Sequence, residues 1–189
     1  MLYDERPGPV GLVPLEGRGS LPFLLLRGES LVAVASWAMG EAGVHLFDFT
    51  LSWQDVQAQG AELVVHDPLC AGTPVEFLRE AVAAAADGEV VVGVRPVTDT
   101  LKQVTGGLVG QTVDRDAHVV VASPVVLPAP VVAGLAAPPD LADFAVLVQQ
   151  LRAAHVVRLL EAPPLARRVA RESDVALLEA LSEATSEPA

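Results

Sequence analysis

Leu63-Val64-Val65-His66-Asp67 is a short apolar run that ends in an acid. Glu89 to Val94 repeats the pattern as a Val/Gly run, and Pro96-Val97-Thr98-Asp99-Thr100 closes it with polar groups. Continuous apolar runs of this length belong to strands buried on both faces, in sheets covered by helices on two sides. Such sheets bind ligands beyond the C-terminal ends of their strands. The pair of runs therefore predicts an α/β fold with a site along one sheet edge, near Asp67 and the turn at 96–100.

Working outward, Thr73-Pro74-Val75-Glu76 separates the two runs. It has the form of a capping box, with Thr73 as cap, Pro74 at the first helical position and Glu76 at the third. Leu78, Ala81, Val82 and Ala85 continue it as an apolar stripe, and Asp87-Gly88 ends it. Upstream, residues 1–8 form a lead-in and Val10 to Pro14 a first strand. Gly17-Arg18-Gly19-Ser20 is a turn. Ser30 caps a helix through Leu31, Val34, Ala35 and Ala38 that Gly40 or Gly43 stops. Val44 to Phe49 alternates as a strand, and Trp53 to Gln59 is a short helix.

Downstream, Thr100–Val104 and Leu108–Val113 flank Gly106-Gly107, which predicts a β-hairpin where a crossover helix is expected. The segment 101–122 is read as an arm that covers something, with a second subunit as one candidate. His118 to Ala122 returns as a strand, Pro128 to Ala137 forms a short helix, and Asp140 caps a longer one through Leu141, Phe144, Leu147, Val148 and Leu151. His155 to Leu160 is the last strand, Ser173 caps a final helix, and Thr185 to Ala189 frays. No internal repeat is present, and residues 1–189 read as one domain.

Composition narrows the function. Hydrophobic residues make up 51% of the chain, which excludes a disordered protein. No segment reaches the roughly 20 apolar residues that span a bilayer. Met1 to Arg6 lacks a basic stretch leading into an apolar one, so no signal peptide is expected. A single cysteine, Cys70, permits no internal disulfide, and the expected location is cytoplasmic. The net charge of −12 argues against nucleic acid and anionic membranes as partners. Lys102 is the only lysine, so a site for a polyanion must draw its cations from arginines.

Four stretches, in order, resemble the 2-C-methyl-D-erythritol 4-phosphate cytidylyltransferase family. They are Val13-Pro14-Leu15-Glu16-Gly17-Arg18-Gly19, Val65-His66-Asp67-Pro68, Pro96-Val97-Thr98-Asp99-Thr100-Leu101-Lys102 and Thr112-Val113-Asp114-Arg115. A fifth, Arg168-Val169-Ala170-Arg171-Glu172-Ser173-Asp174, is similar to that family's C-terminal substrate segment. The resemblance implies a three-layer, Rossmann-like nucleotidyltransferase fold with a mixed, mostly parallel sheet, and a homodimer joined through a protruding hairpin arm. It implies attack of a sugar-alcohol phosphate on the α-phosphorus of CTP, with pyrophosphate leaving. Carried over residue by residue, Gly17, Arg18 and Gly19 match the nucleotide loop and Asp67 the acid that holds Mg²⁺. Thr100 and Arg115 match contacts to the substrate phosphate, one reaching from the partner's arm. Arg168 stands where the family has a lysine.

The departures fall on the nucleotide half. Leu15-Glu16 replace the two alanines that open the family's loop, and the arginine and lysine that follow it are missing. Glu16 brings negative charge toward the phosphates, and like charges about 4 Å apart repel by roughly 1–4 kcal/mol. Cys70 replaces an arginine, and Gly40–Gly60 is too short for the segment that holds the base. The reading is a diverged family member with little or no catalysis and a binding or regulatory role, for a small phosphorylated ligand, a nucleotide or a protein partner. The alternative is an active cytidylyltransferase that uses Mg²⁺ and draws cations such as Arg18 or Arg27 from elsewhere. A third reading is an interaction module that docks through the hairpin. Without the resemblance, each motif has a plainer reading: His66-Asp67 as a cap, Gly17-Arg18-Gly19 and Asp99-Thr100 as turns, Arg115 as a surface ion pair, and Arg167, Arg168 and Arg171 as a solvated loop.

Overall fold

In the computed structural model, which describes residues 7–47 and 51–186, the chain alternates strands and helices as its pattern requires. β1 (Val10–Leu12) leads through the 13–24 loop to a small ladder of β2 (Leu25–Leu26) and β3 (Glu29–Ser30), then α1 (Leu31–Glu41) and β4 (His45–Leu46). α2 (Trp53–Ala58), β5 (Leu63–Val65), α3 (Val75–Ala85) and β6 (Val90–Pro96) follow. Next come β7 (Leu101–Thr105), β8 (Leu108–Val113) and β9 (Val119–Leu127). α4 (Ala129–Gly134), α5 (Phe144–Ala154), β10 (Val157–Glu161) and α6 (Ser173–Ser186) complete the chain. Of the expected features, residues 1–6 of the lead-in, residues 48–50 at the end of the Val44–Phe49 strand and residues 187–189 of the tail lie outside the described residues.

The main sheet has six strands in the order β10-β6-β9-β5-β1-β4. All neighbours are parallel except β9, which runs antiparallel to both β6 and β5. Side-chain alternation then builds three layers. Leu63, Val65, Val90, Val92, Val125 and Leu127 face a core shared with Phe144, Leu147 and Leu151 of α5. Val64, Val91 and Val126 face the opposite core, with Ala35 and Met39 of α1 and Leu78 and Ala81 of α3. α6 packs over a third cluster containing Leu26, Leu31, Leu69, Val169 and Leu178. The α/β fold expected from the buried Val runs, and the mixed, mostly parallel sheet that the resemblance implies, are therefore present.

Several boundaries differ from the sequence reading, each for a local reason. Thr73 does not close a capping box. Its hydroxyl donates to the Cys70 carbonyl at 2.7 Å, and Pro74 takes the cap position of α3 without a side-chain bond. Asp143, not Asp140, caps α5, accepting from the amides of Ala145 and Val146; Asp140 closes a turn onto Ala142. Asp174, not Ser173, gathers the amides ahead of α6, accepting from Ala170 and Arg171. The returning strand extends past Ala122 to Leu127, through a cis Ser123–Pro124 bond.

Proline inside a central strand removes a ladder donor. The irregularity is absorbed opposite, where the β6–β9 register shifts between Val92 and Val94. Gly93 sits in that shift, and a Cβ on it would lie 2.5 Å from the Ser123 carbonyl oxygen. The Gly106-Gly107 turn joins β7 to β8 with positive φ at both positions (58° and 81°), as a two-residue hairpin loop demands. The hairpin occupies Leu101–Val113 and forms its own two-stranded sheet, while residues from Val119 onward join the main sheet.

Because its Cβ has no room against backbone, Gly93→Ala is expected to destabilise the fold by about 1–3 kcal/mol in urea unfolding. Gly134→Ala, whose added Cβ meets nothing within 4 Å, is expected to change stability by less than about 1 kcal/mol.

Candidate functional site

β1 and β5 are adjacent and parallel, so their C-terminal ends lie at the same sheet edge. The loop after β1 carries Gly17 and Arg18, and the residues after β5 are His66 and Asp67. β9 runs the other way and brings Val121, Ala122 and Ser123 to this edge. The segment before α5 and the 162–172 segment close the surroundings. A pocket of about 300 Å³ lies here, lined among others by Gly17, Asp67, Ala122, Asp143, Phe144 and Arg168.

Asp67 is the centre. It is 3% exposed, and both carboxylate oxygens are engaged. Oδ1 accepts from Arg18 Nε at 2.8 Å and from the Leu69 amide at 3.0 Å. Oδ2 accepts from Arg168 Nε at 2.9 Å. The Asp67 amide donates to Ser123 Oγ at 2.9 Å. Burial by itself would raise this carboxyl. The Arg18 hydrogen bond and charge, the Leu69 amide and Arg168 outweigh it and hold the group below the ordinary carboxylate value.

Arg18 is turned inward. Its side chain is 1% exposed, and Nη1 donates to the carbonyls of Glu16 and Leu141, the latter at 3.0 Å. Its guanidinium carbon lies 5.2 Å from the centre of the Phe144 ring. Arg168 is different: its side chain is 41% exposed, and its bond to Asp67 uses Nε, which leaves the terminal amino groups for other acceptors. Gly17 lines the pocket at φ 76°, and a Cβ there would press on the Ala142 backbone. Glu16 is exposed, and Gly19 is an open turn position with nothing near its missing Cβ.

His66 is fully buried. Its Nδ1 lies 2.6 Å from Ser123 Oγ, and its Nε2 has no hydrogen-bond partner among the described residues. Desolvation lowers its pKa to about 4, against a smaller opposing pull from Asp67. Cys70 is buried and its thiol is raised above its ordinary value by that burial, which leaves it unreactive.

The structure thus brings together Gly17, Arg18, Asp67 and Arg168. Thr100 and Arg115 are exposed at the base of the hairpin and do not line this pocket; Arg115 Nη1 donates to the Thr98 carbonyl at 2.8 Å. The three C-terminal arginines diverge. Arg168 goes to Asp67, Arg171 pairs with Asp174 on the surface, and Arg167 Nε is buried without a partner among the described residues. Ser123, Asp143 and Phe144 escaped the sequence reading as site residues. Ser123 lies one residue past the expected strand His118–Ala122, and Asp143 and Phe144 fall within a stretch that read only as the start of a helix.

Magnesium is the ion that the resemblance implies. Mg²⁺ takes near-octahedral oxygen ligands, commonly one or two carboxylates plus phosphates and waters. The oxygens of Asp67 are bonded to two guanidinium groups. Among the described residues no group of three His, Cys, Asp or Glu side chains is placed to hold a metal ion. As they stand, these residues do not fit the ion.

No family model and no curated protein matches the sequence. Solved structures do match. A 2-C-methyl-D-erythritol 4-phosphate cytidylyltransferase from Thermus thermophilus aligns at a TM-score of 0.64 and 22% identity, covering 92% of this chain and 97% of its own. A 4-diphosphocytidyl-2C-methyl-D-erythritol synthase from Anaerococcus prevotii aligns at 0.67 with 12% identity, over 92% and 97%. The Francisella tularensis cytidylyltransferase aligns at 0.60 with 12% identity, over 89% and 97%. This chain has their α/β fold, and no helix among its described residues is long and apolar enough to cross a membrane.

The buried imidazole sets a pH dependence. Unfolded, His66 takes up a proton near its ordinary 6.5; folded, only near 4. Between those values the unfolded state binds the extra proton, so stability is fully present above the upper value and falls toward the lower one, by at most about 1.4 kcal/mol per pH unit. Asp67 adds a loss at still lower pH, as its depressed carboxyl is protonated. Urea unfolding across the window should show the slope, and His66→Gln should flatten it.

Proposed function

We propose that this protein is a diverged relative of the cytidylyltransferases whose fold it shares. In this reading it has little or no nucleotidyl transfer and serves as a cytoplasmic binding or regulatory protein. The observation that carries the reading is the occupation of both Asp67 oxygens by Arg18 and Arg168. Cationic stabilisation of a transferring phosphoryl group needs positive charge free to follow the developing negative charge. Here Arg18 spends its charge on a buried carboxylate, and Glu16 adds negative charge to the loop that would meet the triphosphate.

The half of the pocket nearer Arg168 retains binding capacity. Asp67 with two guanidinium groups carries a net positive charge, and Arg168 has donors in a forked array that suits a phosphate monoester. The ligand supported best is a small phosphorylated compound. Arg168 would hold it, Gly17 would admit it closely, and the Asp143 carboxylate in the lining would disfavour a polyanion. Thr100 and Arg115 would meet such a ligand only if a second copy's hairpin brought them to it. Val104, Leu108 and Val109 are 63–77% exposed on that hairpin, which supports its role as a dimer arm.

Pure protein with CTP, methylerythritol phosphate and Mg²⁺ is expected to release no pyrophosphate above background. Turnover would instead establish the active cytidylyltransferase. Titration calorimetry with a phosphate monoester is expected to show binding that Arg168→Ala weakens at least tenfold. Deleting residues 103–112 is expected to convert a dimer to a monomer by light scattering; an unchanged mass would remove the arm from the interface.

A further inference from the structure

We infer that Arg18 is the resident counter-cation of this site. Its guanidinium takes the electrostatic place that a divalent metal would need beside Asp67, so the pocket operates without metal. This deepens the reading above by naming what balances the central acid, and it does not depend on which ligand enters.

A carboxylate 3% exposed must be neutralised by a partner or a metal. Arg18 supplies the charge from a position fixed on three sides. Nε bonds Asp67 Oδ1, Nη1 bonds the carbonyls of Glu16 and Leu141, and the planar group stands over Phe144. These anchors come from the loop after β1, the segment before α5 and the end of β5. The side chain is part of the wall rather than a mobile arm that steps aside. Arg168 engages the second oxygen from the opposite side. An incoming divalent ion would meet two positive charges, one of them walled in, and an Asp67 carboxylate each of whose oxygens already accepts a guanidinium hydrogen bond. Displacing Arg18 would leave its own charge buried at 1% exposure, a cost that a single carboxylate contact does not return.

The Leu69 amide, which donates to Asp67 Oδ1, is a reporter for the test. Mn²⁺ is titrated into the whole protein and paramagnetic broadening of that amide is followed by NMR. In the wild type the resonance is expected to persist at millimolar Mn²⁺. In Arg18→Gln, which removes the charge, it is expected to broaden at a concentration at least tenfold lower. Broadening of the wild-type amide at micromolar Mn²⁺, or equal responses of the two proteins, would overturn the inference. A cycle of Arg18→Met, Asp67→Asn and the double variant guards against a variant that does not fold. The double variant is expected to be at least tenfold more stable, as an unfolding constant, than the two single effects combined; additivity would overturn the assignment of Arg18 as the counter-cation. Absent phosphate binding with a silent Mn²⁺ titration rejects the ligand and leaves Arg18 in place. Mn²⁺ bound at Asp67 rejects the inference whatever phosphate does.

Discussion

A single buried carboxylate, Asp67, holds together the sheet edge that carries the candidate site. Two guanidinium groups, a backbone amide and its own amide's bond to Ser123 connect it to the loop after β1, the β9 strand, the turn that follows β5 and the 162–172 segment. A charge taken out of water this far is tolerable only when its partners are fixed in place. The partners are fixed because the sheet fixes them: β1 and β5 are hydrogen-bonded neighbours, and β9 lies on the other side of β5.

That constraint shapes the rest of the edge. Arg18 reaches Asp67 only if the 15–20 loop folds back, and Gly17 at positive φ against the Ala142 backbone permits the turn. Ser123 reaches the Asp67 amide and the His66 ring only if β9 continues past Ala122, which in turn needs the missing Cβ of Gly93. The Val/Gly composition of β6 thus serves two ends. Valines on both faces fill the two cores, and one glycine makes room for the Ser123 carbonyl.

The charge balance at this site is set by pairing between one acid and two arginines. The chain carries a net charge of −12, and two of its arginines are drawn to one acid. Arg18 is walled in, and Arg168 is the one of the two that reaches solvent. In the reading proposed above, such an arrangement would suit a compact anion better than a triphosphate; the fold around it is shared with cytidylyltransferases.

Much of this was legible in the residues. Unbroken apolar runs pointed to strands buried on both faces, Gly106-Gly107 to the hairpin, and an acid at the end of Leu63–Val65 to the site's centre. Those features depend on local periodicity and turn chemistry. The errors were equally local in origin. Thr73-Pro74-Val75-Glu76 has the letters of a capping box, but the Thr73 hydroxyl found the nearer Cys70 carbonyl. Asp140 and Asp143 both precede an apolar stripe, and only the path of the 138–143 loop chose between them. The returning strand was expected to stop at Ala122, because the register shift in β6 that accommodates its continuation cannot be seen from its own neighbours. What the sequence determined by itself is the strands and helices of the main sheet, the burial of its central strands on both faces and the place of Asp67 at a strand end, because side-chain alternation and hydrophobic burial act over a few residues; the short β2–β3 ladder was not among them. What only the tertiary structure decided is that Arg18 and Arg168, 49 and 101 residues away from Asp67, close on the same carboxylate. Charge pairing acts through space, and the chain order holds no record of which cation arrives.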